Sequence, residues 1–478
     1  GYWPTLGKVA QQQGIKSILS GLIIVILFMI FYYARGGFVA NVALFFNIFF
    51  ILGILAQLSA SLTLPGIAGI VLTIGMSIDA NVLIFERIKE ELRNGAILKQ
   101  AISSGYNKAY TSIIDANATT LLVGIILYNL GQGPVKGFAV TLIIGIICSF
   151  FSAVFITRVI VEYLSKKGEN SNLNFSFSFS RNFMSKINFD FLSKRKIAYV
   201  FSSSFISFGI ICYIVKGLVL GVDFKGGRSY VISFDEPYNT SEMETSLSQV
   251  FDNKGVEVKT FGNSTTFKVT TSYLIDDESD DADLNVKNQL IKGLEQFTNK
   301  SFVEDDSRVD DKNFTISSSS KVGATIADDI KNSSYLSGIL ALLVIFLYIL
   351  IRFRKWQFST GAVVALLHDT LFVLSAFSIA NFFGVSYEVD QVFIAAILTI
   401  IGYSINDTVV VFDRIRETMG LKVGGNLIPL VNESINKTLS RTIITSMTTF
   451  IVVLVLFLFG GPSLGGFSFA LLIGIMIG

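Results

Sequence analysis

The sequence has very few of the residues from which metal centres and disulfide frameworks are built. It contains one histidine, His368, and two cysteines, Cys148 and Cys212, which both lie in apolar runs. A structural zinc site needs about four Cys or His ligands, and thiols within apolar runs favour core packing over disulfides. The sequence also has no glycine-rich loop of the P-loop or kinase type, which removes ATP as an obvious energy source. We therefore expect no metal and no nucleotide cofactor.

Charge is scarce as well, and hydrophobic runs are long. Charged residues make up 15% of the 478 residues and hydrophobic residues 51%, a composition typical of a polytopic α-helical membrane protein. Eleven segments are apolar enough, and long or nearly long enough, to cross a hydrocarbon core about 30 Å thick. They lie near residues 16–34, 40–58, 65–86, 111–130, 137–160, 197–216, 334–351, 359–381, 389–412, 440–459 and 464–478.

Lysine and arginine are sorted onto alternate connections between these segments. Basic residues follow the first, third, fifth, seventh and ninth segments, beginning with Arg35, Arg87, Lys166, Arg352 and Arg414. The positive-inside rule places these connections in the cytoplasm without conflict. The N-terminus and the long connection between about 217 and 335 are then predicted to be external.

One sequence pattern occurs twice, and each copy places a carboxylate inside an apolar segment. Residues 75–90 read GMSIDANVLIFERIKE, and residues 402–417 read GYSINDTVVVFDRIRE. The two copies are not equivalent at the acids, because Asp79 aligns with Asn406 and Ala80 aligns with Asp407. The repeat predicts two pseudo-symmetric helix sets, and the acids are displaced by one residue between them.

An ionisable residue at the centre of a membrane helix costs about 2.5–3.5 kcal/mol on insertion scales, so it indicates function by default. Acids and amides buried between helices are the usual parts of proton relays, and the alternative is a hydrogen bond that only fixes helix packing. Because the pattern recurs, we interpret Asp79 and Asp407 as proton-relay residues. Other polar residues in or beside the apolar segments are candidates either for the relay or for packing: Asn81, Asp115, Asn406, His368 and Asp369.

The segment after each copy carries a second polar cluster, TSIIDANATT at 111–120 and SRTIITSMTT at 440–449. Aligning the clusters pairs Thr120 with Thr449 and places Arg441 opposite Ser112. The arginine therefore belongs to the second half alone. Arg441 either extends to the interface, as long basic side chains do near helix ends, or serves as the counter-ion of Asp79 or Asp407.

Residues 229–321 contain no membrane-length apolar run and predict a small α+β domain of the ferredoxin-like type. Short β-like runs alternate with two amphipathic helices near 241–253 and 283–297, and Gly262-Asn263 indicates a hairpin. The acidic run at 276–283 lacks the glycine and distal glutamate of a calcium loop, so we interpret it as a solvated loop.

Several of these segments resemble two known families. PGIAGIVLTIGMSIDANVLIFERIKEEL and GPVKGFAVTLIIGI resemble the membrane half of SecD, whereas GVDFKGG, VGATIADDI, RFRKWQFSTGAVVALLHD and IGYSINDTVVVFDRIRE resemble SecF. The resemblance covers nearly the whole chain in the order of a SecD–SecF fusion. It implies the following division: a SecD-like half of five spans at 1–162, a cytoplasmic linker at 163–196, a first SecF-like span with its DFKGG motif at 197–228, the α+β domain at 229–321, and a SecF-like bundle at 322–478.

The resemblance also implies a function. Members of the resistance–nodulation–division superfamily of this kind are accessory subunits of the Sec translocase, which use proton flow to promote preprotein export and catalyse no covalent chemistry. By motif, Asp79 matches the family's essential carboxylate, and Asp407 and Arg441 match the acid and the arginine of its tenth and eleventh spans. The implied partners are the SecYEG channel, a YidC-type insertase, an unfolded preprotein and the lipid of the bacterial cytoplasmic membrane; no nucleic acid and no cofactor beyond protons are implied.

Two other functions remain open at this stage. The chain could be a proton-coupled exporter of small molecules or lipids from the same superfamily, or a scaffold in which the polar residues only pack. Because the family's first span and first large external domain do not precede Gly1, and the last apolar segment is short, we expect the chain to be a fragment of a longer protein.

Overall fold

The computed structural model describes residues 8–58, 63–166, 173–181, 184, 187–252, 255–261, 263–275, 277, 279–304, 309–421 and 426–478. The first half consists of α1 (Lys8–Gln57), α2 (Leu64–Ser77), α3 (Asp79–Arg93), α4 (Leu98–Leu130), α5 (Pro134–Phe151), a π-helical turn at Ser152–Ile156 and α6 (Thr157–Leu164). Next come α7 (Ser178–Arg181), α8 (Phe191–Lys216), β1 (Val219–Leu220) and α9 (Val222–Lys225).

The α+β domain follows as β2 (Gly227–Ser233), α10 (Thr240–Val250), β3 (Val256–Phe261), β4 (Asn263–Thr271), α11 (Asp280–Thr298), β5 (Ser301–Phe302) and β6 (Asn313–Val322). The second membrane half is α12 (Ala324–Phe353), α13 (Trp356–Phe382), β7 (Glu388–Val389), α14 (Gln391–Leu421), α15 (Leu427–Phe459) and α16 (Gly465–Ile477).

The helix α1 is a hairpin rather than one straight helix. Its backbone breaks at Ala34, which has a positive φ of 53°, and Asn41 Nδ2 donates to the Ile26 carbonyl at 3.0 Å, so the two arms run antiparallel. At Gly37 the arms are so close that a Cβ would lie 1.9 Å from the Met29 carbonyl oxygen. Only glycine fits there, and the predicted segments 16–34 and 40–58 are the two arms.

Within the described ranges, nine helices are long and apolar enough to cross a membrane by length and composition, and Gly465–Ile477 is a shorter apolar helix. Because α1 supplies two antiparallel arms, these helices account for the eleven apolar segments of the sequence. The prediction of a polytopic α-helical membrane protein is confirmed. One predicted boundary differs from the structure, since α8 begins at Phe191, inside the predicted linker 163–196. The Asp190 side chain caps this helix by accepting a hydrogen bond from Ser193 N at 3.2 Å.

The two halves pack against each other through the repeated pattern. Gly75 of the first copy lies against Thr449 of α15, where a Cβ would approach the Thr449 Cα to 3.2 Å. Gly402 of the second copy lies against Thr120 of α4, whose Oγ1 donates to the Gly402 carbonyl at 3.0 Å. Each motif glycine therefore contacts the aligned threonine of the other half, and this close contact brings the two acidic helices to the centre of the molecule.

The α+β domain has the predicted ferredoxin-like order. Its sheet runs β3-β4-β2-β6-β5, and the four long strands pair antiparallel with one helix following the first strand and another following the third. Its own apolar core includes Ile232, Leu247, Phe267, Leu290 and Phe314. The predicted hairpin occurs between β3 and β4; of its two turn residues, Gly262 lies outside the described residues.

The segment between the halves packs along the side that the sequence predicts to be cytoplasmic. Ser180 Oγ donates to the Tyr32 carbonyl at 2.7 Å, and the Phe189 backbone N–H donates to Asn436 Oδ1 at 2.8 Å. Residues 174–180 alternate Phe with Ser or Asn, a period of two that is typical of a strand, but residues 178–181 are helical.

A buried acid–arginine cluster between the two halves

Asp79 is the first residue of α3, directly after Ile78, which separates α2 from α3. The side chain is buried, with 6% of the residue exposed, and its Oδ1 has no hydrogen-bond partner among the described residues. A buried carboxylate oxygen without a partner is costly when charged. Of the two acids in the cluster, Asp79 is therefore the one whose carboxylate lacks a full set of hydrogen-bond partners.

Asp407 lies in the opposite situation. Arg441 Nη1 of α15 donates to Asp407 Oδ1, and both side chains are buried. Ser446 Oγ lies 3.4 Å from Asp407 Oδ2, and Arg441 Nη2 lies 3.4 Å from Asn406 Oδ1. Arg441 does not extend to the interface, and of the two possible counter-ion pairings left open by the sequence, the structure has the one with Asp407.

A small cavity lies between Asp79 and Arg441, the arginine that is bonded to Asp407. It has a volume of about 40 Å³, and Asp79, Asn406 and Arg441 line it together with Asn117 and Thr120. A water molecule needs about 10–15 Å³ of such volume and two to four polar partners, so the cavity has room for about three waters. Asp79 and Arg441 therefore line one cavity that is large enough to hold water.

The remaining predicted residues lie outside this cavity. Asp115 accepts from Arg352 Nε at 2.7 Å and from the Tyr348 hydroxyl at 2.8 Å. His368 Nδ1 lies 3.0 Å from Asp369 Oδ1, and Ser404 Oγ donates to Asp369 Oδ2 at 2.6 Å. Asn81, two residues after Asp79, is buried and does not line the cavity, and its Oδ1 has no hydrogen-bond partner among the described residues. The interpretation of these four residues as relay or packing residues stays a prediction.

A reciprocal ion-pair network was not predicted from the sequence. Arg414 Nη2 lies 2.6 Å from Glu90 Oε1, and Arg87 Nη2 lies 3.6 Å from Glu417 Oε2, while each arginine also pairs with the glutamate of its own copy. Arg87 and Glu90 align with Arg414 and Glu417 in the repeat. The sequence does contain an indication of this network, because these are the charged residues that both copies share without change. A pseudo-two-fold axis pairs such residues with each other.

A second charged cluster, the junction, joins the α+β domain to the membrane helices. Lys268 of β4 bonds to Glu388 of β7, the Gln391 N–H donates to Asp223 Oδ2 at 3.0 Å, and the Phe393 N–H donates to Asp390 Oδ1 at 2.7 Å. Burial raises the pKa of Asp390 to about 7, and the nearby Asp223 carboxylate acts in the same direction. No local sequence pattern indicates this cluster, because its members come from distant segments.

Comparison with known proteins agrees with this architecture. The family described as protein export membrane protein SecD/SecF, C-terminal, matches residues 3–167 and 303–478, and the SecD/SecF GG motif matches residues 214–237. The protein translocase subunit SecDF of Bacillus subtilis is 34% identical over 99% of this chain and 63% of its own length. The SecF subunit of Rhodothermus marinus is 44% identical over 61% of the chain and 88% of its own length.

A solved structure has the same fold. The crystal structure of SecDF, a translocon-associated membrane protein from Thermus thermophilus, is 33% identical, superposes with a TM-score of 0.85, and aligns with 99% of this chain and 62% of that one. The chain thus spans less than two thirds of the length of these SecDF proteins. The matched residues extend over both membrane halves and the motif between them, and the chain belongs to the SecD/SecF family of protein export membrane proteins.

Proposed function

We propose that this chain is a proton-coupled accessory subunit of the Sec translocase that promotes preprotein export across the bacterial cytoplasmic membrane. The observation that carries the proposal is the unequal state of two buried acids beside one arginine. Arg441 is bonded to Asp407, while Asp79 lies in the same polar region without a bonded cation. One cation for two acids is a two-state arrangement that a proton can switch.

The switch follows from electrostatics. A neutral Asp79 tolerates its buried position, whereas an ionised Asp79 needs a cation, because an uncompensated charge in a low-dielectric site is strongly destabilising. Arg441 lines the same cavity and is the cation available there. Loss of the proton from Asp79 therefore draws Arg441 away from Asp407, and protonation returns it.

Motion at the cluster has a route to the α+β domain. Asp407 belongs to α14, whose N-terminal residue, Gln391, follows the junction residues Glu388 and Asp390. Lys268 bonds to Glu388 and lies on β4, which pairs with a strand on each side. A displacement of α14 is therefore transmitted to the sheet through a bonded contact rather than through a free linker.

The proposal includes the partners and the setting. The basic connections face the cytoplasm and the α+β domain faces outward, where it is positioned to meet an emerging unfolded preprotein. The SecYEG channel and a YidC-type insertase are the proposed partners in the membrane, protons are the coupling ion, and the chain carries out no covalent chemistry. The Bacillus subtilis and Thermus thermophilus relatives, which align with 99% of the chain, favour this function over the exporter.

Preprotein translocation into inverted membrane vesicles tests the proposal. Vesicles carrying the wild-type chain should translocate more preprotein when a proton gradient is present, and Asp79→Asn should remove that increase. Glu162→Gln, which removes a carboxylate from the exposed face of α6, is the control and should translocate as wild type does. A gradient-dependent increase that persists in Asp79→Asn would refute the relay, and equal translocation with and without the wild-type chain would refute the function.

A further inference from the structure

A large cavity opens on the other side of Arg441. It has a volume of about 780 Å³ and lies between the ends of α3, α14 and α15, with Met184 and Ile187 of the inter-half segment at its edge. Arg441 lines this cavity as well as the small one that contains Asp79. The guanidinium is therefore part of the wall between the buried acid and a space of aqueous dimensions on the predicted cytoplasmic side.

Three glutamates line the large cavity, Glu86, Glu90 and Glu433, and Glu86 is the one that contacts Ser440, the neighbour of Arg441. Glu86 is buried, with 8% of the residue exposed, and lies on α3 seven residues after Asp79. Seven residues make about two helical turns and about 10 Å of rise, so both acids lie on the same face of one helix. Ser440, the neighbour of Arg441 on α15, has its Oγ 3.4 Å from Glu86 Oε2.

We propose that Glu86 is the proton-release residue of the relay, an inference that rests on the proposed function and extends it. The proton leaves the Asp79 carboxyl, passes through water and the Ser440 hydroxyl to the Glu86 carboxylate, and then passes to water in the large cavity. No bond other than those to the proton forms or breaks. A hydroxyl both donates and accepts a hydrogen bond, which makes Ser440 a competent intermediate.

The groups around Glu86 fit this role. Lys89 Nζ donates to Glu86 Oε1 at 2.8 Å, and the Tyr33 hydroxyl donates to the same oxygen at 3.1 Å. Both contacts are made at Oε1, and they hold the Glu86 carboxylate in place. The second oxygen, Oε2, is the one that lies next to Ser440, and it is the oxygen through which the proton arrives.

The equivalent residue of the other half has a different environment. Asp413 aligns with Glu86 in the repeat but lines a separate cavity. It pairs with Arg416 at 2.5 Å and accepts from Ser112 Oγ at 3.0 Å. Asp413 therefore provides a control of the same chemistry in the same repeat position, away from the route.

Proton flux through the reconstituted full chain tests the inference. The chain is placed in liposomes that contain a pH-sensitive dye, and a proton gradient is imposed from the external side. Glu86→Gln keeps the size of the side chain and its acceptor oxygen, and it should lower the flux at least tenfold. Asp413→Asn should stay within twofold of wild type. Ser440→Ala, which leaves the Glu86–Lys89 pair intact, should lower the flux about threefold.

Added formate separates proton transfer from a structural role. A small acid that enters the large cavity should restore flux to Glu86→Gln, with empty liposomes in formate measuring the background leak. Wild-type flux in both Glu86→Gln and Ser440→Ala, or a Glu86→Gln loss that formate fails to restore, would overturn the assignment of Glu86 while leaving the relay at Asp79 standing. If wild type and Asp79→Asn conduct equally, the proposed function fails and this inference fails with it.

Discussion

At the scale of single residues, replacing Asp79 or Asp407 by asparagine should affect stability differently, because the two carboxylates have different partners. Asp79 has an oxygen without a partner, so Asp79→Asn removes a buried carboxylate without breaking a described hydrogen bond at that oxygen. We expect the thermal midpoint of this variant in detergent to equal or exceed that of wild type, although its coupling is lost. A clear fall in the thermal midpoint would show that the Asp79 carboxylate makes a stabilising contact in the folded protein, which contradicts this account.

Asp407→Asn should have the opposite effect on stability. It leaves the buried Arg441 without its carboxylate, and breaking one side of a buried ion pair typically costs about 3–5 kcal/mol. Unfolding in denaturant measures the loss. The double variant Asp407→Leu/Arg441→Met, which removes both charges, should recover most of it; if the double variant is as unstable as the single one, the pair is not what stabilises this site.

The sequence revealed these residues but could not reveal their pairing. The repeat and the cost of a membrane carboxylate identified Asp79, Asp407 and Arg441. A shift of one residue along a helix rotates a side chain by about 100°, so the partner of Arg441 depends on how α14 and α15 are rotated about their axes. Glu86 is hard to recognise from the sequence, because it begins a run of charges that is typical of the end of a membrane segment.

At the scale of elements, the junction between the α+β domain and α14 should respond to pH. Burial raises the pKa of Asp390 to about 7, so the folded protein binds this proton more tightly than the unfolded chain does. The contribution of Asp390 to stability is therefore largest near pH 4 and is lost as the pH rises towards 7. Asp223, whose pKa burial also raises, adds to the effect.

Asp390→Asn should flatten this dependence. Asparagine keeps an acceptor for the Phe393 N–H but does not titrate, so the variant should gain thermal stability over wild type progressively between pH 4 and 7. Midpoints measured across that range provide the comparison, with the exposed Asp311→Asn as control. Parallel curves for wild type and Asp390→Asn would contradict the assigned titration.

The ferredoxin-like domain was predictable because its strands and helices alternate locally with clear periods. The junction was not, since Asp223, Lys268 and Glu388 meet only after the domain folds back onto the membrane helices. The hairpin in α1 was only partly predictable from the sequence. Two apolar segments were evident, but the close approach at Gly37 depends on the other arm.

At the scale of the whole molecule, duplication builds a symmetric frame around an asymmetric centre. The reciprocal pairs Arg414–Glu90 and Arg87–Glu417 join the halves at the predicted cytoplasmic end. In a double-mutant cycle, Arg414→Gln and Glu90→Gln should show a coupling of about 1 kcal/mol, because these partly buried charges are in direct contact. The exposed Arg158–Glu162 pair is the control and should couple by less than about 0.5 kcal/mol.

Within that frame, the first copy of the repeat differs from the second. Its acid, Asp79, has no bonded cation, and its Glu86 lines the large cavity. The central claim is that proton movement depends on Asp79. Proton flux into liposomes that contain the full chain, compared between wild type and Asp79→Asn, tests it most directly. We predict flux above empty liposomes for wild type and flux equal to empty liposomes for Asp79→Asn; equal flux through both proteins would contradict the account.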